Sequence, residues 1–232
     1  MHTIDFTEFE KKAGVLFKNR ELLTQAFTHR SYLNENPKVA LEHNERLEFL
    51  GDAVLELAVT EYLFEKFPQK PEGELTAFRA ALVNTETISR AAQELGMNEY
   101  LLLSRGEAKD LGKARHYILA NTFEAFIGAL YLDGGYEASK KFIGENLYHR
   151  LDAIIKENLW QDAKSRFQEK AQELVSITPT YRVIREAGPD HDKEFVVGVF
   201  LKDEQIGSGE GSSKQEAEQA AARDALQAKS WS

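Results

Sequence analysis

The chain contains no cysteine. That removes disulfides, thiolate zinc sites and cysteine nucleophiles together, and it fits a reducing compartment. The opening stretch MHTIDFTEFEKK has no apolar signal core, and no later run approaches the roughly 18 apolar residues of a membrane span. The expectation is a cytoplasmic protein with no membrane association. Net positive charge is also missing: the formal charge is −9 and the pI about 5.3. Taken alone, that balance argues against nucleic-acid binding, because phosphate contacts need local Lys and Arg. Whole-chain charge says little about a patch, however, and a site that holds a hard divalent cation must itself be rich in carboxylates.

What is present is ordinary for a globular protein. With 42% hydrophobic and 29% charged residues the chain can build a sizeable core. Its 232 residues suit one large domain or a large domain followed by a small module, and the second is the better expectation. Over 6–157 the apolar residues recur at helical spacing, as in Leu22-Leu23-Phe27 and Leu47-Leu50-Val54-Leu57. Turn chemistry breaks the pattern at Asn34-Glu35-Asn36-Pro37, from Pro68 to Gly73, at Gly96, from Gly106 to Gly112, and at Asp133-Gly134-Gly135. After Trp160 the order becomes α-β-β-β-α: helical over 165–175, strand-like over 180–184 and 194–201, helical again over 213–228. Phe195, Val197, Val199 and Leu201 alternate as a half-buried strand requires. Gly188-Pro189-Asp190 and Lys202-Asp203-Glu204 serve as hairpin turns, and Ser213-Lys214-Gln215-Glu216 is a capping box that opens the last helix just after Gly207, Gly209 and Gly211. The expected class is mainly α, an all-helical domain at 1–157, a linker at 158–163 and a small α-β-β-β-α domain at 164–232.

The most informative stretch is His43-Asn44-Glu45-Arg46-Leu47-Glu48-Phe49-Leu50-Gly51-Asp52. On a helix Glu48 and Asp52 are i, i+4, and Glu45 is one turn before Glu48, so three carboxylates share a face. Leu47, Leu50, Val54 and Leu57 are expected to project from the opposite face into the core. Taken alone, such a helix reads first as a solvated acidic face. A second segment changes the balance. Asn121 and Glu124 are i, i+3 on a helix spanning 117–131, Gly128 continues their face and leaves room beside it, and 120–132 contains no Lys or Arg to neutralise the glutamate. Two helices that present Glu48, Asp52, Asn121 and Glu124 to each other would form an all-oxygen site suited to Mg²⁺.

The run HNERLEFLGDAVL resembles the signature of the ribonuclease III family. ELLTQAFTHRSY, PEGELTAFRAALV, SRGEAKDLGKARHYILANTFEAFIGALYLD, SRFQEKAQEL and GSGEGSSKQEAEQAAARDAL match the family in the same order along nearly the whole chain. The resemblance implies a helical endonuclease domain and a double-stranded-RNA-binding domain. It further implies a homodimer that hydrolyses phosphodiester bonds in double-stranded RNA, in ribosomal and messenger RNA processing. Mg²⁺ is the implied cofactor, with Mn²⁺ as an implied substitute, and no organic cofactor is expected. Products would carry 5′-phosphate and 3′-hydroxyl ends. Carried over position by position, Glu48, Asp52, Asn121 and Glu124 fall on metal and catalytic positions, with Asp52 and Glu124 least dispensable. Glu45 and Glu72 fall on positions near the site that affect cleavage or the dimer edge. Phe49 matches the residue that inserts into the partner subunit, although an ordinary core aromatic would read the same way. His43, beside the motif, reads as structural or substrate-adjacent.

Two departures stand out. The family commonly has Asp where this chain has Asn121; an amide offers a carbonyl oxygen but no formal charge, so the ion should be held less tightly. Either the position works with a neutral ligand, or the site is disabled and the chain only binds duplex RNA. The second departure is Tyr117, where the family often has Ser. In the C-terminal domain ten Lys or Arg face thirteen Asp or Glu over 162–232, so any basic footprint must be local. The resemblance places it at Gln168 and Glu169 on the first helix, Asp190-His191 in the first hairpin, and Ser213-Lys214 at the last helix. Gln215 stands where the family usually has a second lysine, which predicts weaker, less salt-sensitive binding. A general metal phosphohydrolase is disfavoured by this duplex-binding module.

Overall fold

The structure is a computed structural model and describes residues 4–109, 112–158, 160, 162–188 and 193–231. The chain divides into two compact units, residues 1–160 and 161–232. The first is helical: α1 (Thr7–Ala13), α2 (Arg20–Ala26), α3 (Arg30–Glu35), α4 (Glu45–Lys66), α5 (Glu72–Leu82), α6 (Thr85–Glu94), α7 (Arg105–Lys109), α8 (Lys113–Leu147) and α9 (Leu151–Lys156). The second holds α10 (Ala163–Val175), β1 (Thr180–Ala187), β2 (Glu194–Leu201), β3 (Glu204–Gly211) and α11 (Lys214–Ala228).

In the first unit α4 and α8 pack lengthwise against each other and carry most of the core. Phe9, Phe27 and Phe126 are fully or almost fully buried, and Phe9 meets both Phe27 and Phe126 edge to face at 5.1 and 5.3 Å. Phe126 also packs on Phe142 at 4.9 Å, which ties the two halves of α8 together. Each such ring contributes about 1.5–3 kcal/mol by leaving water. The Asp133-Gly134-Gly135 stretch interrupts α8 only at Gly135, whose φ of 81° lies outside the helical region. The expected break over 106–112 holds a short helix, α7, among its described residues.

One core expectation is corrected. Leu47 and Val54 are buried and Leu50 is half-buried, but Leu57 is 57% exposed. An ideal helix turns about 100° per residue, so Leu57 falls roughly 80° from Leu47 and lies on the flank rather than in the seam against α8. Phe49 and Phe64 on the same helix are exposed as well, at 81% and 71%.

The second unit is a three-stranded antiparallel sheet in the order β1-β2-β3, backed on one face by α10 and α11. Val197, Val199 and Leu201 of β2 point into its core. Gly207, Gly209 and Gly211 occupy alternate positions of β3 and press directly on α11: a methyl on Gly209 would lie 2.2 Å from the Ala221 amide nitrogen, and one on Gly211 2.5 Å from that of Ala217. Small residues on both elements thus allow strand and helix backbones to touch. The second hairpin turns on Lys202 and Asp203, with Lys202 at φ 57°, while Glu204 already pairs with Leu201. β1 runs three residues beyond the expected strand, its pairing with β2 shifted by one at a bulge between Val183 and Arg185. The segment expected as a linker is shared out. Trp160 packs on Phe78 of the first unit, whereas Asp162 caps α10 by accepting from the Ser165 amide, and Ala163 is buried in the second core.

Candidate functional site

The crossing of α4 and α8 sets the geometry. A methyl on Gly51 would lie 1.7 Å from the Glu124 carbonyl oxygen, and one on Gly128 would lie 2.1 Å from the Leu47 carbonyl oxygen. The two backbones therefore touch without side chains between them. Glu48 and Asp52 flank Gly51 on α4, and Glu124 stands one turn before Gly128 on α8. Close approach of the backbones brings these carboxylates into one electrostatic environment.

The proton affinities of Glu124 and Glu48 register it. Burial, then the charges of Asp52, Glu48 and Glu56, push the Glu124 carboxyl up to about 8. Burial, Glu45 and Asp52 raise Glu48 as well. Every charge acting appreciably on Glu124 is negative, so no basic side chain among the described residues neutralises it. Acids held together in this way are stabilised by protons or by a cation.

The remaining candidates are placed less centrally. Asn121 is half-buried one turn before Glu124, on the same helix face. Glu45 is exposed and turned toward Arg30, 3.5 Å away, and His43, 3.7 Å away. Glu72 begins α5, accepts a hydrogen bond from the Thr76 hydroxyl at 2.9 Å, and lines a 420 Å³ groove with Leu63, Phe64, Leu75 and Arg79. That part of α4 is about 18 Å along the helix from Glu48. Within one protomer Glu72 does not join Glu48, Asp52 and Glu124. Phe49 is largely presented to solvent rather than packed in the core.

Sequence reasoning missed the residue that secures the start of α8. Arg115 is buried, donates to the Glu107 carbonyl at 2.6 Å and to Asn98 Oδ1 at 3.2 Å, and so fixes the first turn of α8 against the segment before it. In sequence it is one of several basic residues, Lys113-Ala114-Arg115-His116, and nothing there singles it out.

The donor set fits an oxygen-liganded divalent ion. Glu48, Asp52 and Glu124 supply carboxylates and Asn121 an amide oxygen, all on the two helices that meet at Gly51 and Gly128. Among the described residues no three His, Cys, Asp or Glu side chains are already drawn in around one ion-sized point. One of the four donors is an amide, which such a count of carboxylate and imidazole groups does not include.

In the second unit Gln168 and Glu169 are exposed on α10, along a groove shared with Ser165, Gln172 and Glu173. Ser213 caps α11 by accepting from the Glu216 amide at 3.1 Å, and the Lys214 ammonium lies 5.7 Å from the centre of the Phe195 ring. Asp190 and His191 lie outside the described residues.

Residues 19–151 match the ribonuclease-III-like family model, and residues 163–229 match the double-stranded RNA binding motif. Ribonuclease 3 of Anoxybacillus flavithermus is 48% identical over 96% of this chain and 93% of its own length; that of Enterococcus faecalis is 46% identical over 95% of each. The chain belongs to the ribonuclease III family. Among solved structures, the ribonuclease III nuclease domain of Campylobacter jejuni is 40% identical, with a TM-score of 0.55, covering 61% of this chain and 98% of that one. The helical nuclease unit and the sheet-and-helix RNA-binding unit are therefore the family's two domains in the family's order. No helix among the described residues is long and apolar enough to cross a membrane.

Proposed function

We propose that this ribonuclease III is a Mg²⁺-dependent endonuclease that hydrolyses phosphodiester bonds in double-stranded RNA as a homodimer, with Mn²⁺ an acceptable substitute. The observation that carries the reading is the meeting of α4 and α8 at Gly51 and Gly128, which gathers Glu48, Asp52 and Glu124 with no basic side chain among the described residues to neutralise Glu124. When bound, the divalent ion supplies a lowered pKa for a water and charge neutralisation at the scissile phosphate. Glu48, Asp52, Asn121 and Glu124 would hold it through oxygen, and Asp52 and Glu124 would orient the attacking water. Attack at phosphorus breaks the bond to the 3′ oxygen, leaving a 3′-hydroxyl and a 5′-phosphate. Glu45, beside Arg30 and His43, is positioned to approach substrate at the amino end of α4.

Dimerisation follows from the flank of α4. Phe49, Leu57 and Phe64 are exposed apolar residues on one helix, and Phe64 lines the groove with Leu63, Leu75 and Glu72. In a two-fold pair, Phe49 of each protomer would enter the partner. The duplex would be gripped through Gln168 and Glu169 of α10, His191, and Ser213 with Lys214 at the start of α11, where helix amides and a lysine suit phosphate. The enzyme's place is in ribosomal and messenger RNA processing.

A second reading rests on Asn121: a neutral ligand at this position would suit a duplex binder that does not cut. Cleavage of a short hairpin RNA with and without Mg²⁺ tests both, with Glu124→Gln as control. Mg²⁺-dependent cutting by the wild type, nearly abolished in Glu124→Gln while gel-shift affinity is retained, is the expected result. Tight binding without cutting by the wild type would establish the second reading instead.

A further inference from the structure

The catalytic face of α8 does not end at Asn121. Tyr117 precedes it by one turn and precedes Glu124 by seven residues, so Tyr117 lies within about 20° of Glu124 around the helix axis. It is 60% exposed and stacks on no other ring among the described residues. The core around α8 does not need it.

Its distance from the acids decides what it could do. Along the axis it lies about 6 Å from Asn121 and about 10 Å from Glu124. Long side chains on a helix lean toward its amino end, which carries the phenol further from Glu124. Tyr117 is thus too remote to ligate an ion between Glu48, Asp52 and Glu124 or to act on its water. A strand laid along the acidic face would still pass over it. A phenol is a neutral donor, so it can meet a sugar or phosphate oxygen beside carboxylates that repel the strand.

On the nuclease reading given above, we propose that Tyr117 is a substrate-positioning residue whose hydroxyl donates to a backbone oxygen of the RNA about one or two nucleotides from the cut. It would set how the strand lies along α8 and which bond reaches the acids, without taking part in the bond change.

The test uses full-length protein and one short hairpin RNA with a single cleavage site, comparing wild type, Tyr117→Phe and Tyr117→Ser. Losing one hydrogen bond should raise the half-saturating RNA concentration about 2- to 10-fold in Tyr117→Phe, with the rate at saturation nearly unchanged. The same RNA is then made with single 2′-deoxy or single methylphosphonate substitutions flanking the cut. One of these should weaken the wild type by a similar factor and leave Tyr117→Phe unaffected; which one identifies a ribose or a phosphate contact. If Tyr117→Phe and Tyr117→Ser match the wild type, or keep its response to every substitution, the proposal is wrong. A drop in sedimented mass for Tyr117→Phe would also overturn it, by making Tyr117 a protomer contact. A wild type that binds but does not cut would refute the nuclease reading alone, and the substituted RNAs would then test Tyr117 by gel-shift interference.

Discussion

Gly51 of α4 and Gly128 of α8 are in reciprocal contact: each leaves room for the other helix's backbone, at the Glu124 and Leu47 carbonyls respectively. The contact fixes the separation of the two helices at the level of the acids. Gly128→Ala must push the helices apart, because the obstructing atom is backbone and cannot rotate away. A destabilisation of about 1–3 kcal/mol is expected from overpacking of this kind. Cleavage should suffer more than stability, since the carboxylates move with the helices. Thermal unfolding and turnover on a hairpin RNA, with Gly73→Ala as a control that has nothing within 4 Å, check it.

The raised Glu124 carboxyl makes the ion-free protein sensitive to pH. With a folded value near 8 against an ordinary 4.5, the folded state holds the proton more tightly than the unfolded chain. Stability is then fullest below about pH 4.5 and is lost as pH rises toward 8. After allowance for partial solvation the loss is about 1–2 kcal/mol. Unfolding in EDTA at pH 5 and pH 8 should reveal this slope, and Glu124→Gln should flatten it. Mg²⁺ at pH 8 should restore stability to the wild type more than to Glu124→Gln.

Much of this was legible in the amino-acid sequence, for reasons that also explain the rest. Helical periodicity located α4 and α8, and the 3.6-residue repeat placed Glu48 beside Asp52 and Asn121 beside Glu124. Gly128 could be read as leaving room, but its partner Gly51 could not, because no local pattern tells which helix will cross which. Leu57 was misplaced because periodicity separates apolar from polar faces and cannot tell a core seam from an apolar flank left open. Glu45 shares a face with Glu48 in sequence, yet the structure turns it toward Arg30, a contact from another helix. The Gly207-Gly209-Gly211 alternation against Ala217, Ala221 and Ala225 was legible in principle: period two in a strand matches period four in a helix when both carry small residues.

Phe49 tests the assembly. Because its ring is 81% exposed, Phe49→Ala should leave the protomer's unfolding temperature nearly unchanged when measured at a concentration where the wild type is dissociated. At micromolar protein, sedimentation should instead show a shift from dimer toward monomer. Paired cuts across the duplex should decline in step. A variant that remains fully dimeric would place the interface elsewhere.

Lys214 tests the grip on the duplex. It is exposed at the first position of α11, beside the Ser213 cap, where phosphate is favoured by helix amides as well as by the ammonium. Lys214→Ala should weaken binding several-fold and reduce the slope of log affinity against log salt by about one. The loss should be uniform across duplex sequences. A change confined to certain sequences would mean that Lys214 meets a base edge.

Asn121 separates two accounts of the site. If its amide oxygen is a working ligand, Asn121→Asp adds a formal charge to the donor set, and the Mg²⁺ concentration for half-maximal cleavage should fall while the ion-saturated rate changes little. The extra carboxylate should also raise Glu124 further in the absence of the ion, making the ion-free variant more sensitive to alkaline pH than the wild type. If Asn121 instead marks a disabled site, the wild type should be nearly inactive at any Mg²⁺ concentration, and Asn121→Asp should gain activity by orders of magnitude. Mg²⁺ titrations of both proteins on one hairpin RNA distinguish these. Identical curves would mean that the side chain at 121 does not reach the ion, and the donor set would then reduce to the three carboxylates around the Gly51 crossing.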